Sequence, residues 1–120
     1  MTPSQIITAD CQQHGVDPAK VLTYVAKEIH DRKGSLMSAG NSILFLVNIG
    51  DHEVELHLFT QETPMQLMRS LPHFIEVIRS TPIKRVYGKA DNPGIVQMLI
   101  RLGVHVEHSD KPKYNWMAKV

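Results

Sequence analysis

Residues 42–60, SILFLVNIGDHEVELHLFT, hold two different β patterns back to back. Ser42 to Ile49 is continuously apolar and β-branched, which predicts a strand covered on both faces. Gly50-Asp51 predicts a tight turn, and His52 to Thr60 the returning strand. In that second run the pattern alternates: Val54, Leu56 and Leu58 share one face, and Glu53, Glu55 and His57 share the other. A buried strand therefore lies beside one that turns polar side chains outward.

The flanking segments supply the other layers. Thr2-Pro3 and Asp17-Pro18 are helix starts, a capping oxygen followed by proline at the first helical position. The first helix is predicted from Pro3 to His14, ending at Gly15, and the second from Pro18 to Arg32, ending at Gly34. Val21, Leu22, Val25 and Ile29 form the apolar stripe of the second. Ser35 to Asn41 is loop-like, with a short strand at Leu36–Met37. Downstream, Thr63-Pro64 opens a third helix whose buried stripe is Leu67, Leu71, Phe74, Ile75 and Ile78. Pro72 is expected to kink or split it, because proline has no amide to donate and crowds Met68. Ile83 to Lys89 reads as a strand. A fourth helix starts at Asn92-Pro93, turns Ile95, Val96, Leu99 and Leu102 inward and ends at Gly103. Val104 to His108 and Lys113 to Val120 are the last two strands, the latter with Tyr114, Trp116 and Ala118 on one side. Met65, Met68, Met98 and Met117 are expected to fill core space.

With 120 residues the chain has the size of one domain, 1–120, able to bury a core without staples. A net charge of +1 makes no case for nucleic acid or an anionic membrane surface. Cys11 is the only cysteine, so no internal disulfide forms; this fits a reducing, cytoplasmic setting, and Cys11 reads as a small apolar filler on a helix. MTPSQIITAD has neither a basic start nor an apolar core and is not read as a signal peptide. The apolar run Ile43 to Val47 is too short to span a bilayer.

The order α-α-(β)-β-β-α-β-α-β-β resembles the GNAT superfamily of acetyltransferases with its first strand missing. That resemblance implies an α/β (α+β) fold with a mixed, mostly antiparallel sheet flanked by helices. The most specific match is VYGKADNPGIVQMLIRLGV, residues 86–104: a strand, then Asn92 opening a helix, Ile95 three residues on and Gly103 closing it. His57-Leu-Phe-Thr60, Asp91-Asn-Pro93 and Tyr114-Asn-Trp116 also resemble short GNAT-like proteins encoded by bacteriophages, some of which are linked to virion assembly.

The departures from the family pattern bear on function. Family members hold the acetyl-CoA diphosphate with a Gln/Arg-x-x-Gly-x-Gly/Ala loop, whose bare amides at a helix N-terminus point at the anion. The matching stretch here is Gln61-Glu-Thr-Pro-Met-Gln-Leu67. Gln61 fits. Pro64, where the first glycine belongs, has no amide hydrogen, and Gln66, where the second belongs, would crowd the phosphate. Thr63 would use another amide for its own cap, and Glu62 adds negative charge. Many family members also place a tyrosine seven residues after the asparagine as general acid; here that residue is Leu99.

The candidate catalytic residues are Glu55 and His57, on the strand that the resemblance places beside the acceptor cleft. A Glu or Glu–water pair there deprotonates an amine; the alternative is a half-exposed strand with polar residues outward. The candidate acetyl-CoA residues are Gln61 and Asn92. The seven histidines show no His-x-x-x-His pair on a helix and no cysteine partners, so no metal site is expected. Lys84, Arg85 and Lys89, with Lys111, Lys113 and Lys119, read as a solvated rim, the alternative being a grip for a nucleotide 3′-phosphate or nucleic acid. Tyr114 and Trp116 on the terminal strand read as core residues, and a terminal strand can also pair with a second subunit or protein partner.

Two functions follow. The first is a non-catalytic GNAT-fold interaction protein with a degenerate acetyl-CoA site and no cofactor, a phage assembly, virion-associated or accessory factor of the host cytoplasm or virion. The second is a divergent acetyl-CoA-dependent N-acetyltransferase.

Overall fold

The computed structural model describes residues 1–89 and 93–120. Two helices come first, α1 (Pro3–Gln13) and α2 (Pro18–His30), followed by a meander of β1 (Gly34–Ala39), β2 (Ser42–Gly50) and β3 (Glu53–Thr60). Then come α3 (Pro64–Arg79), β4 (Arg85–Gly88), α4 (Pro93–Arg101), β5 (His105–His108) and β6 (Trp116–Lys119). The strands form one sheet in the order β1-β2-β3-β4-β6-β5. Every adjacent pair is antiparallel except β3 and β4, which run parallel. This is the mixed, mostly antiparallel α/β architecture expected from the order of elements.

The continuous apolar run of β2 is explained by a layer on each side of the sheet. Leu44 and Leu46 pack with Leu67, Leu71, Phe74, Ile75 and Ile78 of α3, all buried. On the other face, Ile43 packs with Ile6, Ile7 and Cys11 of α1, and Phe45 and Val47 pack with Val25 of α2. Phe45 has no exposed surface, so its truncation to Ala should cost about 3–5 kcal/mol. Ile95 and Leu99 of α4 join the α3 side of the core, with Val96 and Leu102 half-buried beside them.

Local rules failed where packing overrode them. α2 ends at His30 rather than Arg32, and Arg32 itself takes the left-handed conformation, with φ 61°. Gly34 opens β1 instead, because a Cβ there would lie 2.7 Å from Cε1 of Phe45. Ile29 is exposed: α2 buries only Val25, since the helix covers the sheet with its first turns. Ser35–Asn41 is not a loop; β1 is a full six-residue strand. The hairpin turn sits at Asp51-His52, with His52 left-handed at φ 58°, because Gly50 still pairs with Glu53. Pro72 does not split α3. It is exposed, on the solvent side of the helix, while the buried stripe holds both halves against the sheet. Met65 is 72% exposed, standing in the first turn before the buried stripe begins, and fills no core. Tyr114 does not share a face with Trp116 and Ala118. It precedes β6 in a turn closed by its amide on Lys111 O, so strand alternation does not reach it, and it packs with Tyr87 and Met117 on the opposite face.

The final strand is not an edge. β6 is paired by β4 on one side and β5 on the other, so it has no free backbone for a second chain. The open edges of the sheet are those of β1 and β5. No helix of the described residues is long and apolar enough to cross a membrane.

Candidate functional site

The parallel pair β3–β4 is short. Glu53, Val54 and Glu55 align with Arg85, Val86 and Tyr87, and beyond Glu55 the strands part. A cleft of about 630 Å³ opens at this fork, lined among others by Glu55, His57, Thr60, Lys89, Tyr114 and Trp116. From Leu56 to Thr60 no strand of the described residues pairs with the β4-facing edge of β3. At the cleft mouth the Thr60 amide on that edge donates to Oδ1 of Asp10, from α1, at 3.4 Å.

Glu55 and His57 are brought together as their spacing on one strand face predicts. His57 Nε2 lies 2.7 Å from Glu55 Oε1, close enough for an ion pair when the ring is protonated, although the angles are not those of a hydrogen bond. The third member was missed by sequence reasoning: Tyr114 Oη donates to Glu55 Oε2 at 2.6 Å. Lys113 Nζ stands 4.0 Å from the same oxygen. Burial alone would raise the Glu55 pKa. The Tyr114 hydrogen bond, the charges of His57 and Lys113 and the His57 contact outweigh it and hold the carboxyl below its usual range. The Tyr114 hydroxyl is pushed well up by burial and by Glu55, so it stays a neutral donor. A second Tyr–Glu pair lies one strand over, where Tyr87 Oη stands 2.9 Å from both Glu53 Oε2 and Asp110 Oδ1.

Trp116 forms part of the cleft wall. Its indole lies flat against Gly88, where a Cβ would meet Cζ2 at 2.2 Å. Trp116 is 5% exposed, and among the described residues its buried Nε1 has no hydrogen-bond partner.

The turn entering α3 uses its amides internally. Gln61 N donates to Asn41 O, Glu62 N to Thr60 Oγ1, Thr63 N to Gln66 Oε1, Gln66 N to Thr63 Oγ1 and Leu67 N to Thr63 O. Thr63 and Gln66 thus form a reciprocal capping box. Pro64 has no amide hydrogen, and of residues 61–67 only Met65 keeps an uncommitted N–H. The Glu62 carboxylate turns away toward the β1–β2 turn, where Oε1 accepts from Ser42 Oγ and from Ser70 Oγ. Gln61 is turned to α1, with Nε2 donating to Gln13 Oε1 at 3.2 Å and to Thr60 O at 2.9 Å. Asn92, the other candidate acetyl-CoA residue, lies outside the described residues. Leu99 is a buried core residue.

Of the six rim residues named from the sequence, Arg85 and Lys111 pair with Glu53, at 3.5 and 3.4 Å, Lys119 with Glu107 at 3.7 Å, and Lys113 with Glu55. His105 and Glu107 pair with each other on β5, three places away in the sheet from Glu55 and His57 on β3. Among the described residues no group of His, Cys, Asp and Glu side chains is arranged to hold a metal ion.

No protein-family profile and no curated protein matches the chain. Solved structures do. The ribosomal-protein-alanine N-acetyltransferase of Brucella melitensis aligns with 87% of this chain and 76% of its own, at a TM-score of 0.57 and 11% identity. The ribosomal-protein-S5-alanine acetyltransferase of Vibrio fischeri aligns with 94% and 81%, at 0.56 and 10%. The N-acetyltransferase PseH of Campylobacter jejuni, solved with acetyl coenzyme A, aligns with 100% and 92%, at 0.56 and 12%. Strand order, the single parallel pair with its fork and these likenesses together show that the chain has the fold of the GNAT N-acetyltransferases.

Proposed function

We propose that this protein is a GNAT-fold binding protein that does not work through acetyl-CoA. The observation that carries this reading is the closed turn before α3: five of its amides are bonded within the chain, and Pro64 has none to give. With only the Met65 amide uncommitted, a diphosphate at this helix N-terminus would have to break the Thr63–Gln66 box to gain a second donor. The cleft at the fork supports the binding half of the reading, since it runs along the edge of β3 from Leu56 to Thr60 that no strand of the described residues pairs. A phage assembly or accessory role is the finer form of this proposal and rests on the His57–Thr60, Asp91–Pro93 and Tyr114–Trp116 stretches alone. Titrating acetyl-CoA during thermal unfolding tests the reading. A ligand at a hundred times its dissociation constant stabilises a protein by about 2.7 kcal/mol, so the expected result is an unchanged melting temperature. A saturable rise would sink the proposal.

A second reading, an acetyl-CoA-dependent N-acetyltransferase, has one specific observation in its favour: the Glu55–His57–Tyr114 group stands in the cleft where the strands part. In that reading Glu55 takes the proton of an acceptor amine. Acetyl transfer to amines, abolished by Glu55→Gln in a folded variant, would establish it over the first.

A further inference from the structure

The two open edges of the sheet differ. β5 is four residues long and carries His105, Glu107 and His108, a short charged edge of the kind that resists pairing. β1, Gly34-Ser-Leu-Met-Ser-Ala39, is six residues long with no charge, no proline and no bulge.

The direction of its backbone groups follows from the register. Asn48 N donates to Lys33 O, so the Lys33 carbonyl faces β2 (its N–H donates to Glu28 O), and by the alternation of the ladder the main-chain groups of Ser35, Met37 and Ala39 face β2 as well. Gly34, Leu36 and Ser38 therefore turn their N–H and C=O outward, and no described residue bonds them. These three positions are symmetric about Leu36, whose side chain is 38% exposed.

We propose that the outer edge of β1 pairs antiparallel with β1 of a second copy of this chain, joining two sheets into one. With the two-fold axis at Leu36, Gly34 faces Ser38 of the second copy, Leu36 faces Leu36 and Ser38 faces Gly34. Each such pair exchanges two hydrogen bonds, and the two leucines cover one another. The ends of the strand are complementary in charge. Arg32 and Lys33 are exposed and appear in no ion pair among the described residues, whereas the Glu62 carboxylate lies beside Gly40, with Oε2 2.6 Å from where a Cβ would stand and without a partner among the described residues. In this register Arg32 of one copy stands opposite Gly40 of the other, within reach of that free oxygen. The uncharged strand presents nothing to repel a like strand. The proposal stands independently of whether the cleft is catalytic.

Sedimentation velocity over a concentration series tests it. The expected result is a species of twice the chain mass whose share grows with concentration. Ser38→Pro removes only an outward N–H that the monomer does not use, and Leu36→Lys places a charge on the axis; both are expected to give the monomer with an unchanged circular dichroism spectrum. His108→Glu on the β5 edge is expected to leave the dimer intact. Amide hydrogen exchange of the unaltered chain should slow at Gly34, Leu36 and Ser38 as concentration rises, a readout that needs no variant to fold. A chain monomeric up to its solubility limit, a dimer indifferent to both β1 substitutions, or the absence of concentration-dependent protection at these amides would overturn the proposal.

Discussion

Tyr114 Oη reaches across 59 positions of sequence to donate a 2.6 Å hydrogen bond to Oε2 of Glu55. A buried carboxylate on β3 is thereby satisfied by a side chain from the turn before β6, a strand two places away in the sheet. Tyr114→Phe keeps the ring contact with Tyr87 and removes only this bond. A hydrogen bond to a charged group contributes about 1.5–3 kcal/mol. Urea unfolding at neutral pH should show a loss of that order for Tyr114→Phe. An unchanged midpoint would mean that water replaces the hydroxyl without cost.

The same contact sets a pH dependence. The Glu55 pKa is held below its ordinary 4.5, so folding gains from its ionised form above the unfolded pKa. That gain is lost as pH falls through 4.5 toward the folded value. Asp10 works the other way: burial raises its pKa above 3.8, and protonation in acid relieves a cost. The unfolding free energy should decline below about pH 4.5, and Glu55→Gln should make that decline shallower. An identical acid slope in Glu55→Gln would assign the dependence to other carboxylates.

The closed turn before α3 makes a stability prediction separate from ligand binding. Thr63 Oγ1 caps the Gln66 amide, and Gln66 Oε1 returns to the Thr63 amide. Thr63→Ala removes the hydroxyl half of the box and should cost about 1 kcal/mol. Equilibrium unfolding measures it, and a change within error would show that solvent serves the first turn equally well.

Gly88 and Trp116 form a packed pair in which the missing Cβ is the space the indole fills. Gly88→Ala forces the ring to move and should cost about 1–3 kcal/mol through overpacking. Trp116 is the only tryptophan, so its emission should shift to the red as the ring is pushed toward the cleft. An unshifted spectrum with wild-type stability would place the indole elsewhere.

How much of this was legible beforehand depended on the range of the interaction. The caps Thr2, Asp17 and Thr63, each followed by proline, marked three helix starts correctly, since an N-cap and its amide lie within three residues. Glu55 and His57 were paired correctly because a strand repeats every second residue. Tyr114 lies on the face opposite to the one strand alternation predicts, because the Lys111–Tyr114 turn interrupts the strand and nothing local announces it. The apolar type of Met65 predicts a core position, whereas its place in the first turn of α3 keeps it in water.

The sequence by itself determined the elements, their order and the apolar faces they must bury, because propensity, capping and periodicity act between near neighbours along the chain. Only the tertiary structure decided that β6 lies inside the sheet and β1 at its edge, that Tyr114 completes the Glu55 group, and that Trp116 closes over Gly88. Those outcomes depend on which distant segments meet, and hydrogen-bond directions and excluded volume become definite only once the strands are side by side.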